Sequence, residues 1–83
     1  MKVAKLQLLQ KHGTKCMLCQ SDVGKKIQWH HIKPRSVGGL DSYANGALLC
    51  SNCHVEVHRH IYGDKKYTEY TNIILANKKG SLN

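Results

Sequence analysis

The stretch Trp29-His30-His31-Ile32-Lys33-Pro34-Arg35-Ser36-Val37-Gly38-Gly39, followed by Asn45, by Leu49-Cys50-Ser51-Asn52-Cys53-His54 and by His58, holds the densest chemistry in the chain. Adjacent histidines on an extended strand point to opposite faces, so His30 and His31 must face different surroundings. His54 and His58, four positions apart, share one face of a helix. A strand, a loop and a helix in this order can bring several imidazoles to one metal ion, which predicts a site rather than a core.

Working outward, Lys25 to Ile32 alternates apolar and polar residues as a strand does, with Ile27, Trp29 and His31 on one face and Gln28, His30 and Ile32 on the other. Pro34 cannot donate to a sheet ladder, and Gly38-Gly39 allows backbone geometry closed to other residues, so Lys33 to Asn45 is expected to be an ordered loop. Ala47 to Leu49 reads as a short second strand. Ser51 or Asn52 is expected to cap a helix that runs to about His60.

Two Cys-x-x-Cys pairs bracket this region, Cys16-Met17-Leu18-Cys19 and Cys50-Ser51-Asn52-Cys53, and they use all four cysteines of the chain. Two sulfurs three positions apart on a tight turn can both reach one zinc at about 2.3 Å. Two such pairs with no cysteine left over predict one tetrahedral four-cysteine structural zinc on Cys16, Cys19, Cys50 and Cys53. The thirty residues between Cys19 and Cys50 exceed the common spacing of about 15–20, so the pairs flank an insert, and the insert carries the histidines.

Eighty-three residues are expected to form one domain, and a chain this short buries only about 60% of its unfolded surface, so a metal staple is expected to supplement the core. The absence of Phe and the single Trp agree with a small core. Val3, Leu6 and Leu9 recur at helical spacing before Gly13, which predicts a helix over residues 1–12 whose apolar stripe packs on the core. Tyr67, Tyr70 and Ile74 predict a second flanking helix over about 64–79, capped by Asp64, with its tyrosines packed against the body and Lys78-Lys79 as a fraying tail.

Thirteen Lys and Arg against five Asp and Glu give a net charge of +8, which favours a polyanionic partner, nucleic acid first. The sequence contains no apolar run long enough for a signal peptide or a bilayer span, so no membrane partner and a cytoplasmic location are expected.

The histidine pair, Pro34, Gly38-Gly39, Asn45 and the ending Cys53-His54 to His58 together resemble the His-Asn-His (HNH) endonucleases of the ββα-metal class. The resemblance implies an α+β fold, a small zinc-stabilised ββα-metal (His-Me finger) domain with its core at about 27–60 and flanking N- and C-terminal helices. It assigns His31 as the general base that activates water, and His30, His54 and His58 as ligands of a catalytic divalent metal. Asn45 matches the middle residue of the motif, which fixes the loop by hydrogen bonds or, in some members, contacts the metal. Many relatives carry Asp where this chain has His30. A set of imidazoles suits Mn²⁺, Ni²⁺, Co²⁺ or Zn²⁺ better than Mg²⁺, which favours oxygen ligands.

Lys33 and Arg35 flank the base and are candidates for holding DNA phosphates, although plain exposed charge accounts for them equally well. The function expected is a metal-dependent DNA endonuclease that nicks double-stranded DNA with little sequence preference, acting as a monomer or weak dimer. A stand-alone basic chain of this kind is similar to phage-encoded members, in a bacterial or phage-infected host, with phage packaging proteins as possible partners. The rival from another class is a zinc-ribbon DNA-binding module without catalysis, which needs the cysteines but has no use for His31 beside His30.

Overall fold

A computed structural model describes residues 2–80 and shows a small α+β fold: α1 (Lys2–His12), β1 (Gln28–His31), β2 (Gly46–Leu49), α2 (Ser51–His58) and α3 (Lys65–Gly80). Met1, where the sequence places the start of the first helix, lies outside the described residues. No helix among the described residues is long and apolar enough to cross a membrane.

The two strands pair antiparallel in the register Gln28↔Leu49, Trp29↔Leu48, His30↔Ala47 and His31↔Gly46. The first strand is shorter than the alternation from Lys25 to Ile32 suggests. A 3₁₀ turn at Gly24–Lys26 takes up its front, and beyond His31 the Ile32 N–H turns to the Asn45 carbonyl at 2.9 Å. The second strand begins one residue early, at Gly46, because the Trp29 ring lies over that position. A Cβ there would come within 2.1 Å of the indole, so only glycine lets the strands close.

Ala47, Leu48 and Leu49 are all fully buried, although successive residues of a strand point to opposite faces. The reason is that α1 packs on β2 and α2 packs against both strands. A strand covered on both sides reads as a continuous apolar run, as this one does.

On α1 the buried row is Ala4 and Leu8, with Leu9 half-buried, and not the expected stripe of Val3, Leu6 and Leu9. Val3 and Leu6 are 69% and 52% exposed. Ala4 and Leu8 lie one turn apart on one face, and the small Ala4 allows close approach to neighbouring structure, which selects this row over the larger apolar one. The helix ends at Gly13, whose φ of +70° turns the chain and lets its N–H reach the Leu9 carbonyl at 2.8 Å.

The cap of α2 also differs from expectation. Cys50, in extended conformation, accepts the N–H of Cys53 on its sulfur at 3.5 Å, so the cysteine itself caps the helix in place of Ser51 or Asn52. The helix ends at His58, and the N–H groups of Arg59 and His60 close a final turn onto Glu56 and Val57.

Asp64 caps α3 through the Tyr67 N–H at 2.7 Å. Tyr67 and Ile74 are buried, and the Tyr67 hydroxyl donates to the Ile32 carbonyl at 2.9 Å. Asn77 donates to the Met17 carbonyl at 2.7 Å. Lys78 is a correction to the fraying tail: its ammonium donates to the carbonyls of Tyr43, Ala44 at 3.4 Å and Gly46 at 2.7 Å. Three backbone acceptors near one another form a better receptor for an ammonium than solvent alone, and sequence spacing does not show where carbonyls converge.

The buried row on α1 gives a test. Leu8→Ala is expected to cost about 2–5 kcal/mol of unfolding free energy, the range for a buried leucine. Leu6→Ala is expected to stay within about 0.5 kcal/mol. Urea denaturation of the zinc-loaded protein measures both, and equal costs would mean that the helix packs on its other face.

Candidate metal centres and general base

The sulfurs of Cys16, Cys19, Cys50 and Cys53 all lie within 4.8 Å of one another, with Cys19 and Cys50 3.8 Å apart. Bonds of about 2.3 Å in a tetrahedron put sulfurs about 3.8 Å apart, so the cluster matches a zinc site. Backbone shapes both halves. The N–H groups of Leu18 and Cys19 point at the Cys16 sulfur at 3.4 and 3.5 Å, and Gln20, held at φ +67°, closes the first turn by donating to the Cys16 carbonyl at 2.9 Å. The N–H of Met17 then joins this turn to Leu48 on β2 at 2.8 Å.

Two of the thiols are shifted in opposite directions. Hydrogen bonds from Ser21 pull Cys19 down to about 6, whereas burial and the neighbouring thiols push Cys53 up. A cation that takes all four as thiolates resolves this conflict.

A second cluster stands on the inner face of the strands. His30 is fully buried, and neither of its ring nitrogens has a hydrogen-bond partner among the described residues. Burial first, then the nearby His54 and His58, holds its pKa down to about 3, so it stays neutral with a lone pair available. Each of His30, His54 and His58 offers a ring nitrogen within 4.8 Å of the others. An orphaned buried imidazole facing two more imidazoles fits a divalent ion, and the half-buried His54 and exposed His58 leave that side of the site open.

Gln28 is a member of this site that the sequence reading passed over. Its side-chain carbonyl accepts from His54 Nδ1 at 2.7 Å, which fixes the tautomer and leaves Nε2 for a ligand. Period-two alternation, which puts Gln28 and His30 on one strand face, was the available signal.

His31 meets a carboxylate and an indole instead. Its Nε2 lies 2.6 Å from Asp41 Oδ1, and the Trp29 indole N–H approaches its ring edge, 3.2 Å from Nδ1 and 3.4 Å from Nε2. Asp41 was also absent from the sequence reading, since it has no fixed spacing to the histidine that it meets across the loop.

Asn45 uses its whole side chain on that loop. It accepts the Lys33 N–H at 2.8 Å and donates to the carbonyls of Lys33 at 3.0 Å and Leu40 at 2.8 Å. Gly39 is needed here for space: a Cβ would fall 1.7 Å from the Lys33 carbonyl oxygen. Lys33 and Arg35 are exposed on the rim, with Arg35 Nε 3.9 Å from Asp41. Outside the two clusters, His12 meets the Tyr43 hydroxyl at 3.2 Å and His60 meets Glu56 at 3.4 Å.

The family model for the HNH endonucleases matches residues 16–60, more than half of the chain and the whole span from the first knuckle to the end of α2. The chain belongs to the HNH endonuclease family. It is 34% identical over 56 residues to the protein named Anaredoxin of Nostoc sp., an alignment that covers 68% of this chain and 72% of that one. It is 42% identical over 38 residues to the type IV methyl-directed restriction enzyme EcoKMcrA of Escherichia coli (strain K12), covering 46% of this chain and 14% of the enzyme.

The double role of Cys50 gives the expected outcome of metal removal. Protein purified without chelator is expected to hold one zinc that survives dialysis, and Cys50→Ser is expected to lose the ion and with it the folded state, because serine can still cap the helix but supplies no thiolate to the cluster. Metal analysis with circular dichroism checks this. A Cys50→Ser variant as helical and as stable as the parent would rule out a structural zinc.

Proposed function

We propose that the protein is a metal-dependent DNA endonuclease that hydrolyses phosphodiester bonds by general-base activation of water at one divalent metal site. The observation that carries this reading is the pair of adjacent histidines in different environments: His30 buried between His54 and His58 with no hydrogen-bond partner among the described residues, and His31 half-buried beside an exposed loop.

His30, His54 and His58 would hold the divalent cation, which when bound would supply charge stabilisation for cleavage of the phosphodiester. His31 takes the proton from the attacking water. Gln28 keeps His54 in the tautomer that a ligand needs, and Asn45 holds the loop over the site. Lys33 and Arg35 place the phosphodiester by charge, with no base contact required. The products are expected to be 5′-phosphate and 3′-hydroxyl ends.

Low sequence preference is expected from the same contacts, since they go to phosphates and the positive charge is spread over the chain. One base and one metal site per chain favour a nick as the first product. The methyl-directed action in the name of EcoKMcrA belongs to that enzyme, of which this chain spans 14%. A purely structural zinc module accounts for the cysteines but leaves the second, histidine cluster without a purpose.

Supercoiled plasmid incubated across a series of Mn²⁺, Ni²⁺, Co²⁺, Zn²⁺ and Mg²⁺ tests the reading, with open-circular DNA expected to appear before linear. His31→Ala is expected to cleave at least about a hundredfold slower while binding DNA and zinc normally, the loss typical of a missing base. His30→Ala is expected to regain part of its activity at high metal concentration. Cleavage by His31→Ala at the parent rate, or rescue of it by metal, would refute the assignment.

A further inference from the structure

We infer that Asp41 is the positioning residue of the general base, fixing the His31 imidazole with its proton on Nε2 and its lone pair on Nδ1. This rests on the nuclease reading above and names a residue that reading does not use.

A neutral imidazole carries one N–H and one lone pair, and only the nitrogen with the lone pair can take a proton from water. Which nitrogen that is depends on the partner of the other. In His31, Nε2 faces Asp41 Oδ1 at 2.6 Å. A carboxylate at that distance accepts, so Nε2 is the protonated nitrogen and Nδ1 is left as the base. The same negative charge faces the imidazolium that forms once the proton is taken, so the carboxylate acts in both stages.

The remaining neighbour cannot replace it. The Trp29 indole N–H is a donor only, and it straddles the ring edge between Nδ1 and Nε2 with the two rings nearly perpendicular at 81°. It can hold the ring plane, and a water reaches the Nδ1 lone pair by displacing the indole N–H, but the indole offers no acceptor for the Nε2 proton.

The backbone around Asp41 is built to hold it. Asn45 donates to the carbonyl of Leu40, the residue just before Asp41, and its N–H lies 3.2 Å from the carbonyl of Ser42, the residue just after. Asn45 thereby pins both neighbours of Asp41. The carboxylate is exposed, so the chain gains little stability from the contact, whereas the orientation of the ring depends on it. Arg35 Nε, 3.9 Å from the same oxygen, balances its charge from the solvent side.

The test uses the full zinc-loaded chain and the variants Asp41→Ala, Asp41→Asn, His31→Ala and the double variant Asp41→Ala/His31→Ala, each checked for zinc content. In single-turnover plasmid cleavage, Asp41→Ala is expected to lose about tenfold or more of the rate with DNA affinity unchanged, within the range that a base supplies. Asp41→Asn keeps an acceptor oxygen and is expected to recover part of that loss. The double variant is expected to be no slower than His31→Ala alone, because Asp41 acts through His31. Long-range ¹H–¹⁵N spectra of the uncleaved system are expected to show His31 protonated on Nε2 in the parent and a mixed tautomer in Asp41→Ala.

Several results overturn the inference: a parent-like rate for Asp41→Ala, an equal loss from Asp41→Ala when His31 is already absent, or an unchanged His31 tautomer. If the parent chain cleaves no DNA under any metal, the nuclease reading fails and the inference falls with it. Failure of the inference alone shows as active parent protein with Asp41→Ala equally active.

Discussion

Four thiols drawn to within 4.8 Å of one another are the constraint from which the geometry of the whole site descends. The first knuckle is tied to β2 through Met17 and Leu48, and Cys50 ends β2 while its sulfur caps α2. The direction in which α2 leaves the sheet is therefore set by a member of the thiol cluster. Since α2 carries His54 and His58 and β1 carries His30, the distance between strand and helix imidazoles depends on the start of α2, where two of the four thiols lie. In a chain with no Phe and a small buried core, apolar packing alone has little area with which to hold that distance.

The strand pair then divides the chemistry between its two faces. Alternation sends His30 into a dry environment that keeps it neutral, and His31 to a wetter one where its Nε2 meets a carboxylate oxygen at 2.6 Å. The acidic residues of the chain are all engaged in local work: Asp22 receives Thr14, Asp41 faces His31, Glu56 accepts from Tyr70, Asp64 caps α3, and Glu69 faces Lys66. None forms a patch opposing the basic excess. The charge of +8 is consequently left to act outward, as binding a phosphate backbone requires.

What was legible in the sequence is what fixed spacing encodes. The paired Cys-x-x-Cys units, the opposed faces of His30 and His31, the shared face of His54 and His58 and the cap at Asp64 each follow from period or motif alone. The misreadings share another cause. Whether α1 buries Ala4 and Leu8 or Val3 and Leu6 depends on the surface that it meets, and apolar periodicity weights the larger side chains. Cys50 as cap, Lys78 on loop carbonyls, Gln28 behind His54 and Asp41 beside His31 are each a contact between segments distant in sequence, or a second use of a residue already given a role.

Such contacts gather at the loop from Lys33 to Asn45, and their arrangement shows how a segment without regular structure can position a reacting group. Its entrance is held by the Tyr67 hydroxyl on the Ile32 carbonyl, and its exit by Lys78 on the carbonyls of Tyr43 and Gly46. Both anchors come from α3, which lies outside the stretch that matches the family model. Between them, Asn45 ties the exit to Lys33 and Leu40, so the loop closes on itself through one amide. The backbone polar groups that a long loop would leave to solvent are thus bonded at its base, and the residues that face outward, Lys33, Arg35 and Asp41, are free of structural burden except through His31 and one another. An exposed loop keeps a defined shape when its ends are braced, and here a helix from outside the loop braces both of them.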